Sequence, residues 1–116
     1  MSVYADYNSF VSEHGEECRN AGITPRQAMI LSMAMLQLHK GVNGGRVSLI
    51  IMLPDHSTVE KSDADLATLI DPPLEYLKWG DSDANTFLIT DAGVSFIQSH
   101  DVIFGELLPA IFQSSQ

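Results

Sequence analysis

The sequence predicts one small α+β domain, mostly helical, with a single β-hairpin at about residues 74–90. Three observations support that class. The chain is 116 residues long and 45% hydrophobic, enough for one buried core and too apolar for a disordered segment. Apolar residues recur at three- and four-residue spacing on both sides of Ala21-Gly22, the mark of helices. Beyond Pro73 the spacing changes to alternation around the polar stretch Gly80–Asn85, the mark of two strands and a turn.

A first helix is expected over about 4–20. Tyr7, Phe10, Val11, His14 and Cys18 form its apolar face, Glu13, Glu16 and Glu17 lie mostly opposite, and Ala21-Gly22 ends it. Thr24 is suited to cap a second helix that opens on Pro25. There Met29, Met33 and Leu36 make one stripe and Leu31, Met35 and Leu38 another. Such a helix is either the central core helix or one that also lines a dimer interface. Lys40 and Gly41 close it, and Val42–Arg46 is a glycine-rich loop. Arg46–Leu53 reads equally as a strand or as a short buried helix, and Pro54 stops it.

After a turn at Asp55–Val59, Ser57 or Thr58 is expected to cap a helix reaching about Ile70, with Leu66, Leu69 and Ile70 inward; Asp71-Pro72-Pro73 ends it. Leu74–Trp79 and Thr86–Thr90 are the hairpin strands. Leu74, Tyr76 and Lys78 share one face of the first, and Glu75, Leu77 and Trp79 the other. Thr90 or Asp91 caps a helix carrying Val94, Phe96 and Ile97, and His100-Asp101 breaks it. A last apolar helix at about 101–113 is interrupted by Gly105 and Pro109. Residues 1–116 thus form a single domain: an N-terminal helix, a core at about 24–98 and a C-terminal helix.

The segment from Phe87 to Phe96, reading FLITDAGVSF, resembles the wing-exit segment of winged-helix regulators of the MarR and PadR type. In those proteins a strand ends in an aromatic residue, a spacer, Leu or Ile and Thr, followed by two residues, Gly and an apolar helix. The resemblance covers roughly Thr24–Ile97 and is closest over its last ten residues. It implies a winged-helix fold in which the hairpin is the wing and Ser57–Ile70 occupies the place of the recognition helix. The residues make physical sense in that role: Thr90 ends the strand and caps the helix, and Gly93 lets helix and hairpin approach closely. The basic residues that the family carries in its wing and recognition helix are missing. Ser57–Ile70 holds Glu60, Asp63 and Asp65 against Lys61, and the wing turn is Asp81-Ser82-Asp83-Ala84-Asn85. DNA binding therefore carries over to no residue.

Net charge is −9, and its distribution is uneven. Residues 1–54 balance four acids with four bases, whereas residues 55–91 hold nine acids and two bases. A DNA reader draws affinity from Lys and Arg that neutralise phosphates, so the charge sits the wrong way round for that task. One cysteine excludes an internal disulfide and suits a reducing cytoplasm. The apolar run Ala28–Leu38 is shorter than the about 20 residues that span a bilayer. The start MSVYADYNSF lacks the basic and apolar parts of a targeting signal, so a mature, untargeted N-terminus is expected.

The residues that could carry chemistry do not assemble into a known pattern. His14 and Cys18 lie four apart, as helical metal ligands do, but no second pair completes a site. Cys18 has Glu16 and Glu17 beside it, which disfavours a thiolate nucleophile. Counted as a calcium loop from Asp81, the sixth and twelfth positions are Thr86 and Ala92 in place of Gly and Glu. Val42–Arg46 lacks the ending of a phosphate-binding loop. Met29, Met33, Met35 and Met52 read as core filling ahead of an adaptable binding surface. No catalytic, cofactor-binding or metal residue is assigned.

The expected function is therefore non-catalytic: a regulatory protein–protein interaction module whose acidic face meets a basic surface on a partner. A phage or mobile-element inhibitor of a basic or nucleic-acid-binding host protein is one form of it. Glu60, Asp63, Asp65, Glu75, Trp79, Asp81 and Asp83 are the expected partner-binding residues. A homodimer is expected through Met35, Leu38, Ile103, Phe104, Leu107 and Ile111. The alternative is a dimeric winged-helix transcription regulator that uses Arg26, Lys40, Arg46 and Lys61 for phosphate contacts.

Overall fold

The computed structural model describes residues 7–49, 51–53, 57–83 and 85–114. The start of the expected first helix at Tyr4, together with Pro54, Asp55 and His56, lies outside them. Helices α1 (Tyr7–Asn20) and α2 (Pro25–Lys40) are followed by a 3-10 turn at Val42–Gly45. Then come β1 (Val47–Ser48), β2 (Ile51–Met52), β3 (Thr58–Val59) and α3 (Ala64–Ile70). β4 (Leu77–Trp79), β5 (Thr86–Ile89), α4 (Asp91–Gln98) and α5 (Asp101–Ser114) complete the domain, a mostly helical α+β fold with a hairpin where the sequence places it.

Local chemistry sets the ends of the first two helices. After α1, Gly22 turns into the left-handed region at φ 85°, Gly22 N donates to Arg19 O and Ile23 N to Cys18 O, both at 3.0 Å. That double bond closes the helix and lays Ile23 into the core. Thr24 and Gln27 form a reciprocal capping box, with Gln27 N donating to Thr24 Oγ1 at 3.0 Å and Thr24 N to Gln27 Oε1 at 2.8 Å. Gly41, at φ 69°, ends α2.

The two apolar stripes of α2 are explained by its position. It packs against α1, α3, α4, α5, β1 and β5, and buries Ala28, Met29, Ile30, Leu31, Ala34 and Leu36. The buried Ser32 hydroxyl donates back to Ala28 O at 2.8 Å. α2 is thus the central core helix. α5 packs beside it and contributes Ile103, Phe104 and Leu107, each 1% exposed or less. Three of the residues assigned to a dimer interface are therefore buried within this one chain. Leu38, 43% exposed, and the half-buried Met35 do reach the surface, and the side chain of Ile111 lies outside the described residues.

Three expectations are corrected. Arg46–Leu53 is neither one strand nor a helix: it divides into β1, which pairs with β5, and β2, which pairs with β3. Thr58 and Val59 are strand residues opposite Met52 and Ile51, so α3 starts only at Ala64 and is capped by Asp63 rather than Ser57 or Thr58. Val59 is fully buried, which explains why the chain stays extended there. α5 runs unbroken through Gly105 and Pro109. Both residues are exposed, so water can take the Gly105 carbonyl that Pro109 leaves without its helical donor.

The larger sheet is antiparallel with strand order β1-β5-β4. Its register sets Leu77 opposite Ile89, Lys78 opposite Leu88 and Trp79 opposite Phe87. Leu77, Phe87 and Ile89 point into the core, and Lys78 points out, as alternation predicts. Between β1 and β4 the described residues hold the β2–β3 pair and α3, a helix of seven residues.

Candidate interaction surface

Thr90 and Gly93 position the hairpin against the helix behind it. The Thr90 hydroxyl accepts from Gly93 N at 3.1 Å, capping α4, and donates to Glu75 O at 2.7 Å, closing the hairpin base. Gly93 is buried against β4 and β5: a Cβ there would overlap Tyr76 O and lie 2.6 Å from Ile89 Cγ1. The Tyr76 ring stacks on Phe96 of α4 at 4.4 Å, and Phe96 meets His100 at 4.2 Å and, edge-on, Phe104 of α5 at 6.1 Å. Partial burial raises the Tyr76 hydroxyl above its ordinary pKa. Thr90→Val should therefore lower stability by about 2 kcal/mol, since it removes a cap and a second hydrogen bond together. Urea unfolding checks this, and a midpoint equal to wild type would show that the hydroxyl ties nothing.

The turn is held from outside as well as within. Asp81 Oδ1 accepts from Asn85 N at 2.8 Å, Arg46 Nε donates to Gly80 O at 2.9 Å, and Lys61 Nζ donates to Asp83 O at 2.9 Å. Asp81 and Asp83 are exposed at this end of the hairpin, and Glu60, Glu75 and Asp91 are exposed elsewhere along the same region. Glu75 adopts a left-handed φ of 51°, which turns the chain after Pro73 and delays the first strand to Leu77.

Asp63 and Asp65 leave the expected acidic face. The Arg26 guanidinium donates to Asp63 Oδ1 and Oδ2 at 2.8 and 2.7 Å, Asp65 Oδ2 at 3.0 Å, Ser57 Oγ at 3.0 Å and Thr58 O at 2.7 Å. All five of its donors are thereby used. The side chains of Arg26 and Asp63 are 18% and 12% exposed. The guanidinium holds the Asp63 carboxyl below its ordinary pKa, and the carboxylates hold Arg26 protonated. Asp63 also caps α3, accepting from Asp65 N at 3.0 Å. This cluster joins the start of α2 to β3 and α3. A list of charges in sequence order could not reveal it, because its members lie 37 and 39 residues apart.

Trp79 is half-buried and borders an open groove of about 760 Å³. Ile70, Leu74, Lys78, Leu88 and Asp91 line it too. None of these five was among the expected partner-binding residues. Leu88 was open to detection: with Phe87 and Ile89 inward, strict alternation turns the leucine between them outward.

Cys18 lies fully buried on α1, and burial, with Glu17 nearby, pushes its pKa up to about 11. At neutral pH it is a thiol and a poor nucleophile. Among the described residues no three His, Cys, Asp or Glu side chains are placed to share a metal ion, and no helix is long and apolar enough to cross a membrane. No family model, curated protein or solved structure matches the chain.

Proposed function

We propose that this protein is a non-catalytic regulatory module that binds a basic surface of another protein through its acidic hairpin side. The observation that carries the reading is the unequal fate of the charges. Glu60, Glu75, Asp81, Asp83 and Asp91 are exposed, whereas Arg26 is saturated by its own chain. Arg46 and Lys61 each donate to carbonyls of the acidic turn. Of the four bases that the DNA-regulator reading assigns to phosphate contacts, Arg26, Lys40, Arg46 and Lys61, three donate to groups of their own chain. An exposed acidic surface attracts basic partners over long range and repels nucleic acid.

In this reading the hairpin is a wing turned to protein recognition. The buried thiol suits a reducing cytoplasm, and inhibition of a nucleic-acid-binding protein is a natural use of such a surface. The expected result with duplex DNA at physiological salt is no binding; a submicromolar mobility shift with a steep salt slope would promote the DNA-regulator reading instead. The direct test is the double variant Asp81→Asn, Asp83→Asn. Folding should be kept, because the amide introduced by Asp81→Asn retains an oxygen that can accept from Asn85 N. Capture of a basic protein partner should weaken and lose its salt sensitivity. Identical recovery by both proteins at two salt concentrations would remove the acidic turn from the interface.

A further inference from the structure

The outer face of the hairpin is apolar where a solvated sheet face is normally polar. Lys78 and Leu88 stand opposite each other on neighbouring strands and point away from the core. Around Leu88 the groove of about 760 Å³ gathers Ile70, Leu74 and Trp79, each partly buried against the core. The backbone around it is already paired. β5 is the middle strand between β1 and β4. On the far side of β4, α3 packs against the strand, Tyr76 N donates to Leu69 O at 2.9 Å, and Leu77 is 1% exposed. The Thr90 hydroxyl at the groove wall both donates and accepts within the chain. A guest therefore meets side chains: an apolar strip bearing the carboxylates of Glu75 and Asp91 and the ammonium of Lys78, all three residues exposed.

We infer that this groove binds one amphipathic α-helix of the partner, with an apolar inner stripe, basic flanks and one acidic residue facing Lys78. The inference rests on the acidic-surface reading above and names the element by which the partner is held. A helix suits the groove because it satisfies its own backbone hydrogen bonds, whereas an extended segment laid over the sheet face gains no ladder there. Leucines at i, i+4 and i+7 would run along one side of such a helix for about 10 Å. Charge sets the rest of the pattern. Glu75 and Asp91 in the groove and exposed Asp71 beside Ile70 attract Arg or Lys on the flanks, and Asp81 and Asp83 at the hairpin tip extend the same field. Lys78 selects an acid on the inner stripe and disfavours a guest that is basic all round. A second copy of this chain fits worse. Among the described helices α2 has the most Lys and Arg, Arg26 and Lys40, and Arg26 is held by Asp63 and Asp65.

A capped peptide, Lys-Arg-Ala-Leu-Ala-Gln-Glu-Leu-Ala-Arg-Leu-Ala-Lys-Arg, has that pattern and serves as the probe. Trp79, the only tryptophan of the chain, reports binding by fluorescence, and circular dichroism reports helix gained by the peptide. Binding should come with a rise in helix. It should weaken about fivefold or more in Leu88→Thr, which keeps a strand-forming residue at that position. Proline in place of the third alanine should weaken it about tenfold or more. A charge-matched isomer, with the adjacent Gln and Glu exchanged, turns the acid to the outer side of the helix. Wild type should prefer the first peptide to the isomer about threefold, and Lys78→Glu should lose or reverse that preference. The isomer comparison reads the contact with Lys78 whatever Leu88→Thr does to stability. Equal binding of the two isomers by wild type, or equal binding of the first peptide by wild type and Leu88→Thr, overturns the groove as the site. Equal binding of the proline peptide overturns the helical guest. A dimer mass without peptide that Leu88→Thr converts to monomer assigns the groove to a second copy and overturns the inference. Absence of binding even at low salt overturns the inference alone, because Asp81 and Asp83 lie outside the groove lining and their double variant tests the acidic-surface reading separately.

Discussion

Gly93→Ala should be the most damaging single-methyl change in this protein. The added Cβ would overlap the Tyr76 carbonyl oxygen, lie 2.6 Å from Ile89 Cγ1 and 3.1 Å from the Tyr76 carbonyl carbon. Two of those three atoms are backbone of the hairpin base, so no rotamer change relieves the overlap. α4 would have to move off the hairpin, which would also lengthen the Thr90–Gly93 cap and loosen the Tyr76–Phe96 stack. The expected loss is about 3 kcal/mol or more, about 12 °C in Tm for a domain of this size. Gly105→Ala is the control. Gly105 is exposed on α5 with nothing within 4 Å of an added Cβ, so the same change should stabilise by about 0.5 kcal/mol through helix propensity. Equal Tm values for the two variants would mean that Gly93 is not a contact point between helix and hairpin.

The parts of the fold that were legible in the sequence are those with local causes. Thr24, Gly22 and Gly41, and Thr90 with Gly93 each act within a few residues, and each does in the structure what its chemistry implies. The hairpin was legible for the same reason, since alternation and a polar turn are neighbours along the chain. The start of α3 was not. Thr58 has a side chain suited to a helix cap, but its backbone pairs with Met52, and a strand partner lies outside any short window. The terminal apolar helix was legible as a helix but not as core. The sequence shows how many apolar residues Ile103, Phe104 and Leu107 add, and only the packing of α5 on α2 shows that one core holds them. The acidic surface was half legible, because composition counts Asp63 and Asp65 without seeing Arg26 opposite them. The groove that Trp79 borders draws its walls from Ile70 through Ala92, residues that only the folded hairpin brings together.

Removal of Arg26 should expose how much that hidden cluster holds together. Arg26→Met keeps most of the stem but leaves Asp63 and Asp65 facing each other, with Thr58 O and Ser57 Oγ losing the donor that Arg26 supplied. Breaking a well-buried pair costs several kcal/mol; with Asp65 30% exposed, water recovers part of it, so the expected loss is about 3 kcal/mol. Adding Asp63→Asn and Asp65→Asn to that variant should restore part of the loss, because the facing carboxylates disappear while residue 63 can still cap α3. The pH dependence has a defined sign. Asp63 has its folded pKa depressed below the ordinary 3.8 by Arg26. Its contribution is therefore complete above that value and is lost as pH falls through the folded pKa, so the window lies below about pH 4. Wild type should lose stability steeply on acidification there, and Asp63→Asn, starting lower at neutral pH, should lose less over the same interval. Urea midpoints measured from pH 7 down to pH 3 decide the matter. Parallel curves for wild type and Asp63→Asn would show that the Arg26 cluster contributes no charge-dependent stability, and a neutral Arg26→Met variant would show that it contributes none at all.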